Sequence, residues 1–214
     1  MSGPGPAPLV ALRLRTPRLE LRLGTREELL ALARVAERGV HPPDEMPFAV
    51  PWTDRAGTPG FAAAFAGFHE RALAAWSPAD WNLNLLAFHD GGPVGVQSVG
   101  ARRFASERVV ATGSWLGREL QGRGLGTEMR AAVLELAFVC LGAVAATSGW
   151  LESGSGQSAG VSRKLGYREV GLHAESPRGE PVVHHDLRLD REDWRCPVAV
   201  EVDGVDPCLT LFGA

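Results

Sequence analysis

Glycines at 122, 124 and 126, set between Gln121 and Thr127 with Arg123 among them, are the residues of this chain best suited to hold a ligand. Glycine tolerates positive φ and lets a ligand approach the main chain closely. The segment runs from Trp115-Leu116-Gly117 into an amphipathic helical pattern of Leu125, Met129, Ala132, Val133, Leu136 and Ala137. First-turn N–H groups of a helix have no partner inside it, and the dipole there favours an anion. With the charge of Arg123 added, the chemistry is that of a diphosphate cradle; the plainer reading is a glycine-relaxed turn with no ligand. A Walker loop needs Gly-Lys-Ser/Thr, and the one lysine in the chain is Lys164. A Rossmann fingerprint needs a third glycine where this chain has Thr127. ATP, GTP and nicotinamide dinucleotides are therefore disfavoured.

Metal chemistry finds little support. His184 and His185 are neighbours on an expected strand and must face opposite ways. Cys140, Cys196 and Cys208 form neither a CxxC pair nor a Cys/His ladder. No metal is expected.

The remaining pattern, Gln121-x-x-Gly124-x-Gly126, resembles the acyl-CoA cradle of the GNAT N-acetyltransferases. A second segment, Ser155-x-x-Ser158-x-x-Val161-x-x-Lys164-Leu165-Gly166-Tyr167, resembles the Asn-x-x-Ser-x-x-Val-x-x-Lys-Leu-Gly-Phe/Tyr motif of the ribosomal-protein acetyltransferase-like branch. The stretches DEMPFAVPWT, SWLGRELQGRGLGTEMRAAV and VDGVDPCLTLFG are similar to an actinobacterial subgroup of that branch, at least one member of which is described as a succinyltransferase.

The resemblance implies a GNAT fold of the α/β (α+β) class: a mixed, mostly antiparallel central sheet with helices on both faces and a V-shaped splay between central strands. It implies direct transfer of an acyl group from acyl-CoA to a primary amine in a ternary complex. The donor would be acetyl-CoA or succinyl-CoA, the subgroup inclining to succinyl. The amine could belong to a protein N-terminus, a lysine or a small metabolite. Backbone groups of Trp115, Leu116 and Gly117 would pair with the pantetheine arm, and those of Gln121, Gly122, Arg123, Gly124, Leu125, Gly126 and Thr127 would hold the pyrophosphate. Ser158 would hydrogen-bond the CoA sulfur and protonate the leaving thiolate, with Ser162 as its rival; Tyr167 packs. Ser155 replaces the motif's Asn, reaches less far towards the pantetheine, and sits among glycines that loosen its loop. Glu107 is the candidate general base, with His41, Asp44 and Glu45, or a chain of waters, as alternatives. His41, Met46, Phe48 and Trp52 on an apolar loop, together with Gln97, would bind the acceptor or acyl group. A succinyl carboxylate would need an Arg or an amide near Ser114 to Leu116. The rival readings are a catalytically weak acyl-CoA sensor of the same fold and a nucleotide-binding protein.

The elements that must position these residues follow from periodicity. Leu12 to Leu23 alternates, predicting an edge strand broken or bulged at Thr16-Pro17. Thr25 with Glu28 is a capping box for a helix to about Arg38. Thr58-Pro59 predicts the cap of a second helix near 60–75. A meander follows: Trp81 to His89, a turn at Asp90-Gly91-Gly92, Pro93 to Val99, then Glu107 to Leu116. Beyond the glycine turn and its helix come a short strand (144–148), a short helix (155–165) and strands near 168–173 and 182–189. The order is that of one α/β domain. Residues 1–11 are expected to be flexible, 12–195 to form the acyltransferase domain, and 196–214 to be a tail that adds a strand to this sheet or to a partner subunit.

Composition agrees. With 214 residues, 45% hydrophobic and 22% charged, the chain can bury one real core. A net charge of -3 argues against a general nucleic-acid binder. No apolar run approaches ~20 residues, and the N-terminus lacks a signal-peptide pattern. A cytoplasmic bacterial protein, homodimeric, with no nucleic-acid or membrane partner, is the expectation. Of the 22 basic residues all but Lys164 are Arg, which together with abundant Ala, Gly and Pro suits GC-rich coding.

Overall fold

The computed structural model describes residues 6–154 and 156–214; Ser155, the departure from the motif, lies outside the described residues, as do residues 1–5. Residues Ala7–Ala11, expected within a flexible terminus, instead form a 3-10 turn with Leu9 fully buried. The Leu12–Leu23 alternation resolves into two strands rather than one bulged strand. β1 (Arg13–Arg15) and β2 (Glu20–Arg22) pair antiparallel with Leu14 opposite Leu21. Thr16 N–H donates to Leu19 O at 2.9 Å, closing the turn around a proline that has no donor to continue a ladder.

α1 (Arg26–Arg38) starts at the expected capping box, with Thr25 Oγ1 accepting from Glu28 N–H and the Glu28 carboxylate accepting from Thr25 N–H at 2.8 Å. α2 (Phe61–Ala74) opens on Gly60 at φ 82° and not on Thr58. The Thr58 hydroxyl donates back to Arg55 O at 2.7 Å, so it is spent in the preceding turn. β3 (Asp80–His89) and β4 (Gly92–Arg102) form a long hairpin through Asp90 and Gly91, both at positive φ, as a primed turn requires. α3 (Phe104–Glu107) is a single turn of helix where a strand start is expected, so β5 runs only from Val109 to Leu116. α4 (Leu125–Glu135) continues through a π-helical turn to Cys140, followed by β6 (Ala145–Leu151) and α5 (Gln157–Lys164). β7 (Arg168–Glu175), β8 (Val182–Asp190), β9 (Glu201–Asp203) and α6 (Leu209–Phe212) complete the chain.

The strands form a nine-stranded sheet in the order β7-β8-β6-β5-β4-β3-β2-β1-β9. Its neighbours are antiparallel except β5 and β6. Alternation along β3 sends Leu83 and Leu85 to one face and Leu86 and Phe88 to the other. The first face packs on α4 through Met129 and Val133; the second packs on α1 and α2 through Leu29, Leu32, Phe61 and Phe65. The tail joins this chain's own sheet: β9 pairs with β1, Val202 opposite Leu14. The indole N–H groups of Trp76 and Trp81 donate to Leu211 O and Phe212 O at 2.9 and 3.1 Å, which fastens α6 beneath the sheet. No helix among the described residues is long and apolar enough to cross a membrane.

β5 and β6 share the rungs Val109–Ala145, Val110–Ala146 and Ala111–Thr147, and then none. β5 carries on for Thr112–Leu116 alongside β4, while β6 carries on for Ser148–Leu151 alongside β8. The two central strands therefore splay apart.

Candidate active site

A cleft of about 430 Å³ fills the splay. Its walls are Thr112 to Leu116 of β5 and Ser148 to Leu151 of β6, with Gln121, Gly126 and Arg130 also lining it. Ser158 and Val161 of α5, His184 of β8, and His41, Phe48 and Trp52 of the apolar loop complete the lining.

The glycine turn leaves a run of main-chain N–H groups free among the described residues. Gly122 and Gly124 sit at φ 76° and 82°, where a side chain would be strained. The first main-chain bond of α4 is Glu128 N–H to Gly124 O, and no hydrogen bond among the described residues uses the N–H groups of residues 122–127. Leu125 contributes only its main chain, its side chain being buried in the core. The side chain of Gln121 is engaged by the protein itself: Nε2 donates to Val40 O at 2.7 Å and Leu116 O at 2.9 Å, lacing the apolar loop to the end of β5. Arg123 is exposed, and its carbonyl accepts from Arg18 Nη1 at 2.9 Å. Arg18 in turn clamps the buried Glu128, whose carboxylate also accepts from Thr16 Oγ1 at 2.6 Å and Arg18 N–H at 3.0 Å. These bonds hold Glu128 ionised below the usual carboxylate range even though its burial works the other way. Sequence reading singled out neither Arg18 nor Glu128.

Trp115 and Leu116 line the cleft as expected, whereas Gly117 does not: its N–H is taken by Val94 O at 2.9 Å. Ser158 stands in the first turn of α5, half-buried on the cleft, with no protein hydrogen bond to its hydroxyl among the described residues. Ser162 lies beneath, fully buried, its Oγ accepting from Arg130 Nη1 at 2.6 Å, so it is not free to serve a ligand. Tyr167 is buried against Thr112 Oγ1 at 3.1 Å, and burial pushes its phenol above the ordinary value.

The apolar loop forms one wall. The rings of Phe48 and Trp52 lie 5.3 Å apart, and Trp52 is 5.3 Å from Trp115. His41 Nδ1 donates to Pro42 O at 2.8 Å, since a carbonyl only accepts, and in the neutral ring Nε2 then accepts from Thr53 Oγ1 at 2.7 Å. The loop is fixed in place. Met46 N–H donates to Ser153 O and Ser153 Oγ to Met46 O, at 2.7 and 2.6 Å. Arg178, from the β7–β8 connection, donates to both carboxylate oxygens of Asp54 at 3.0 and 2.5 Å and to Pro43 O at 3.1 Å, which keeps Asp54 below its ordinary pKa. Gly154 does not loosen this region: a Cβ there would stand 2.9 Å from Pro47 Cβ, so the glycine permits close packing on the loop.

Other expected site residues fall elsewhere. Met46 is buried away from the cleft lining. Gln97 is fully buried, its Nε2 donating to Gly113 O at 3.0 Å, because its strand position shares the core face with Val99 and Ser114. Glu107 stands on α3, at the end of β5 away from the splay, ion-paired with Arg103, and it does not line the cleft. Asp44 and Glu45 do not line it either. His184 reaches the cleft while His185 faces away, stacked on Trp150 at 4.0 Å. The ligand atoms of His173, His184 and Asp186 lie within 4.8 Å of one another on the outer hairpin, where Asp186 already bonds His173 Nδ1 at 3.0 Å.

A family model described as acetyltransferase (GNAT) domain matches residues 18–168. The fold is shared with RimJ of Mycobacterium smegmatis in complex with CoA-disulfide, at TM-score 0.68 and 20% identity over 87% of this chain and 90% of that one. It is shared with the ribosomal-protein-S5-alanine acetyltransferase from Vibrio fischeri, at TM-score 0.64 and 15% identity over 86% and 98%. The microcin C7 self-immunity acetyltransferase in complex with acetyl-CoA and AMP is similar at TM-score 0.64 and 14% identity, over 81% and 93%.

Proposed function

The chain belongs to the GNAT acetyltransferases, and on that premise we propose that it moves an acyl group, acetyl or succinyl, from acyl-CoA to a primary amine within a ternary complex. One observation carries the reading: the splay of β5 from β6 opens directly beside the N–H groups of residues 122–127 and the hydroxyl of Ser158, none of which has a partner among the described residues. The N–H groups suit a diphosphate, and the freed strand edges suit the amides of a pantetheine arm. The amine nitrogen attacks the thioester carbon, the C–N bond forms and the C–S bond breaks. Ser158 Oγ–H gives its proton to the leaving sulfur and is reprotonated, through solvent, by the proton that the attacking nitrogen loses as the tetrahedral intermediate becomes an amide. The aromatic wall of Phe48, Trp52 and Trp115 bounds the side from which the acceptor enters.

The same proposal places the chain in the ribosomal-protein acetyltransferase-like branch, in the cytoplasm, as a homodimer. Three free cysteines suit a reducing compartment, and exposed Val170 and Leu172 on edge strand β7 suit a second copy. Light scattering that gives one chain mass removes the dimer.

The test is a thermal-shift and calorimetric panel of CoA, acetyl-CoA, succinyl-CoA, ATP and NAD. A ligand at ~100 times its Kd adds roughly 2.7 kcal/mol of apparent stability. The CoA species are expected to stabilise and ATP and NAD not to; stabilisation by none of the CoA species refutes the acyltransferase reading. Ser158→Ala is expected to bind CoA normally and to turn over ~10²-fold more slowly. Turnover equal to the unaltered enzyme removes Ser158 from the chemistry.

A further inference from the structure

Arg130 is the largest fully buried side chain among the described residues, 2% exposed, and none of them supplies it with an anion. Guanidinium offers five N–H donors and keeps its charge at any physiological pH. Here Nη1 donates to Ser162 Oγ at 2.6 Å and Nη2 to Ser114 Oγ at 3.3 Å, both neutral hydroxyls, and Nε has no partner among the described residues. No carboxylate among the described residues acts on its charge, the one charge partner being Tyr167. Tyr167 does not supply the charge, since burial keeps its phenol protonated. A buried, unpaired cation is among the most costly features a fold can keep, and a hydrophobic residue of similar volume is the usual cheaper choice. Yet Arg130 is part of the cleft lining.

Its place along the cleft says which part of a ligand it meets. Arg130 follows Gly126 by four residues, one helical turn further into α4 from the phosphate-holding N–H groups. There it reaches across to Ser114, on the stretch of β5 that has left β6. The diphosphate is thus accounted for at the turn, and Arg130 stands deeper, at the reacting end. We propose that Arg130 is the receptor for a carboxylate carried at the far end of the transferred acyl chain, so that the donor is the CoA thioester of a short dicarboxylic acid, such as succinyl-CoA. This deepens the acyl-CoA reading and rests on it. The carboxylate accepts from Nε and a free Nη hydrogen in the bidentate manner that guanidinium favours, while the two serines hold the fork in orientation.

The experiment is calorimetric titration of CoA, acetyl-CoA and succinyl-CoA into the unaltered protein, Arg130→Gln and Arg130→Lys, with melting curves of each and of Arg130→Met. Succinyl-CoA is expected to bind the unaltered protein at least tenfold more tightly than acetyl-CoA. Arg130→Gln loses that preference with its CoA affinity unchanged, and Arg130→Lys keeps part of it. Without ligand, Arg130→Met melts at or above the unaltered protein, because a buried unpaired charge has been removed; a purely structural arginine gives a lower melting point. If CoA itself does not bind, the acyl-CoA reading fails. If CoA binds but the unaltered protein and Arg130→Gln treat the two thioesters alike, the acyl-CoA reading stands and the role of Arg130 is overturned. In a final arm, free glycine and methylamine compete as acceptors in the presence of acetyl-CoA. A glycine preference that Arg130→Gln abolishes, with no succinyl preference, assigns the carboxylate to the acceptor and overturns its place on the acyl chain. Should Arg130→Gln not fold, Arg130→Lys carries the thioester comparison.

Discussion

Replacing Gln121 with Ala separates a ligand contact from a structural tie. In the structure the Gln121 amide donates to Val40 O and Leu116 O at 2.7 and 2.9 Å, so its job is to lace the apolar loop to the cleft end of β5. Each hydrogen bond of this kind contributes about 0.5–1.5 kcal/mol net, and carbonyls left half-buried without a donor add to the loss. Gln121→Ala should therefore cost about 1–3 kcal/mol. For a domain of this size that is a fall in melting temperature of roughly 3–10 °C. Gln121→Glu keeps the volume but sets a carboxylate against two carbonyl oxygens, and should destabilise more at pH 8 than at pH 5, where protonation restores one donor. The assays are thermal unfolding at both pH values and CoA titration. CoA affinity should fall modestly, less than about tenfold, because the cradle's N–H groups are untouched and a tenfold change is only ~1.4 kcal/mol. An unchanged melting temperature combined with a hundredfold loss of CoA affinity would refute the tie, since the amide would then be binding the ligand.

His69 is half-buried beside Phe65, ring centroids 4.8 Å apart, and desolvation lowers its pKa to about 4. Its folded value lies below its unfolded one, so the unfolded chain takes up the proton first. Stability should fall from about pH 6.5 downwards by up to ~3 kcal/mol before levelling near pH 4. Stability curves of His69→Leu should lack that slope, and an identical slope means another group titrates. Glu28, held at about 2 by Arg22 at 2.8 and 2.5 Å and by the capping box, has the opposite sign. It stabilises above pH 4.5 and is lost as pH falls towards 2; Glu28→Gln should cost ~1 kcal/mol at pH 7, once solvent screening is allowed for, and little at pH 2 by chemical denaturation. Arg178→Ala should free the apolar loop from Asp54 and Pro43, raising KM for the acceptor several-fold while the Kd for CoA stays fixed; the reverse pattern in steady-state kinetics removes the strap role.

What the sequence made legible was local. Thr25 with Glu28 announces its own cap, and Gly122 and Gly124 announce positive φ, because both signals lie within one turn of chain. Ser158 was readable through its motif, and the structure puts it on the cleft. The misplacements are of another kind. Glu107 was placed on a strand whose start is a short helix, since nothing in Phe104–Glu107 shows that Arg103 adopts a left-handed cap. Gln97 has an amide suited to a ligand, but which face of β4 looks inward is settled by partners far along the chain. Arg18, Glu128 and Arg178 act over separations of 110 or more residues and leave no local mark. Arg130 was the one within reach. It stands one turn beyond Gly126 on the helix that follows the cradle, and a charge in that register deserved to be read with the glycines.

The cleft itself follows from how the central strands are shared. Past Ala111, β5 is held by β4 through Thr112 to Leu116, and past Thr147, β6 is held by β8 through Ser148 to Leu151. Each strand is claimed by its outer neighbour. Two strand edges are thus left facing one another across a gap instead of closing it. Side chains take up a little of the loss near the fork: Thr112 Oγ1 donates to Thr147 O and Ser148 Oγ to Thr112 O, both at 3.2 Å. Farther out, Gly149 keeps β6 turned towards β8, since a Cβ there would stand 2.2 Å from the His184 ring. A larger residue at 149 would push β8 away and leave β6 free to swing towards β5. The fold therefore holds an unpaired strand edge open at some cost in hydrogen bonds, and an extended molecule with amides of its own is the kind of ligand that recovers it. On the proposed reading, the free N–H groups of the glycine turn and the guanidinium of Arg130, one helical turn further into α4, would set the direction in which that molecule lies.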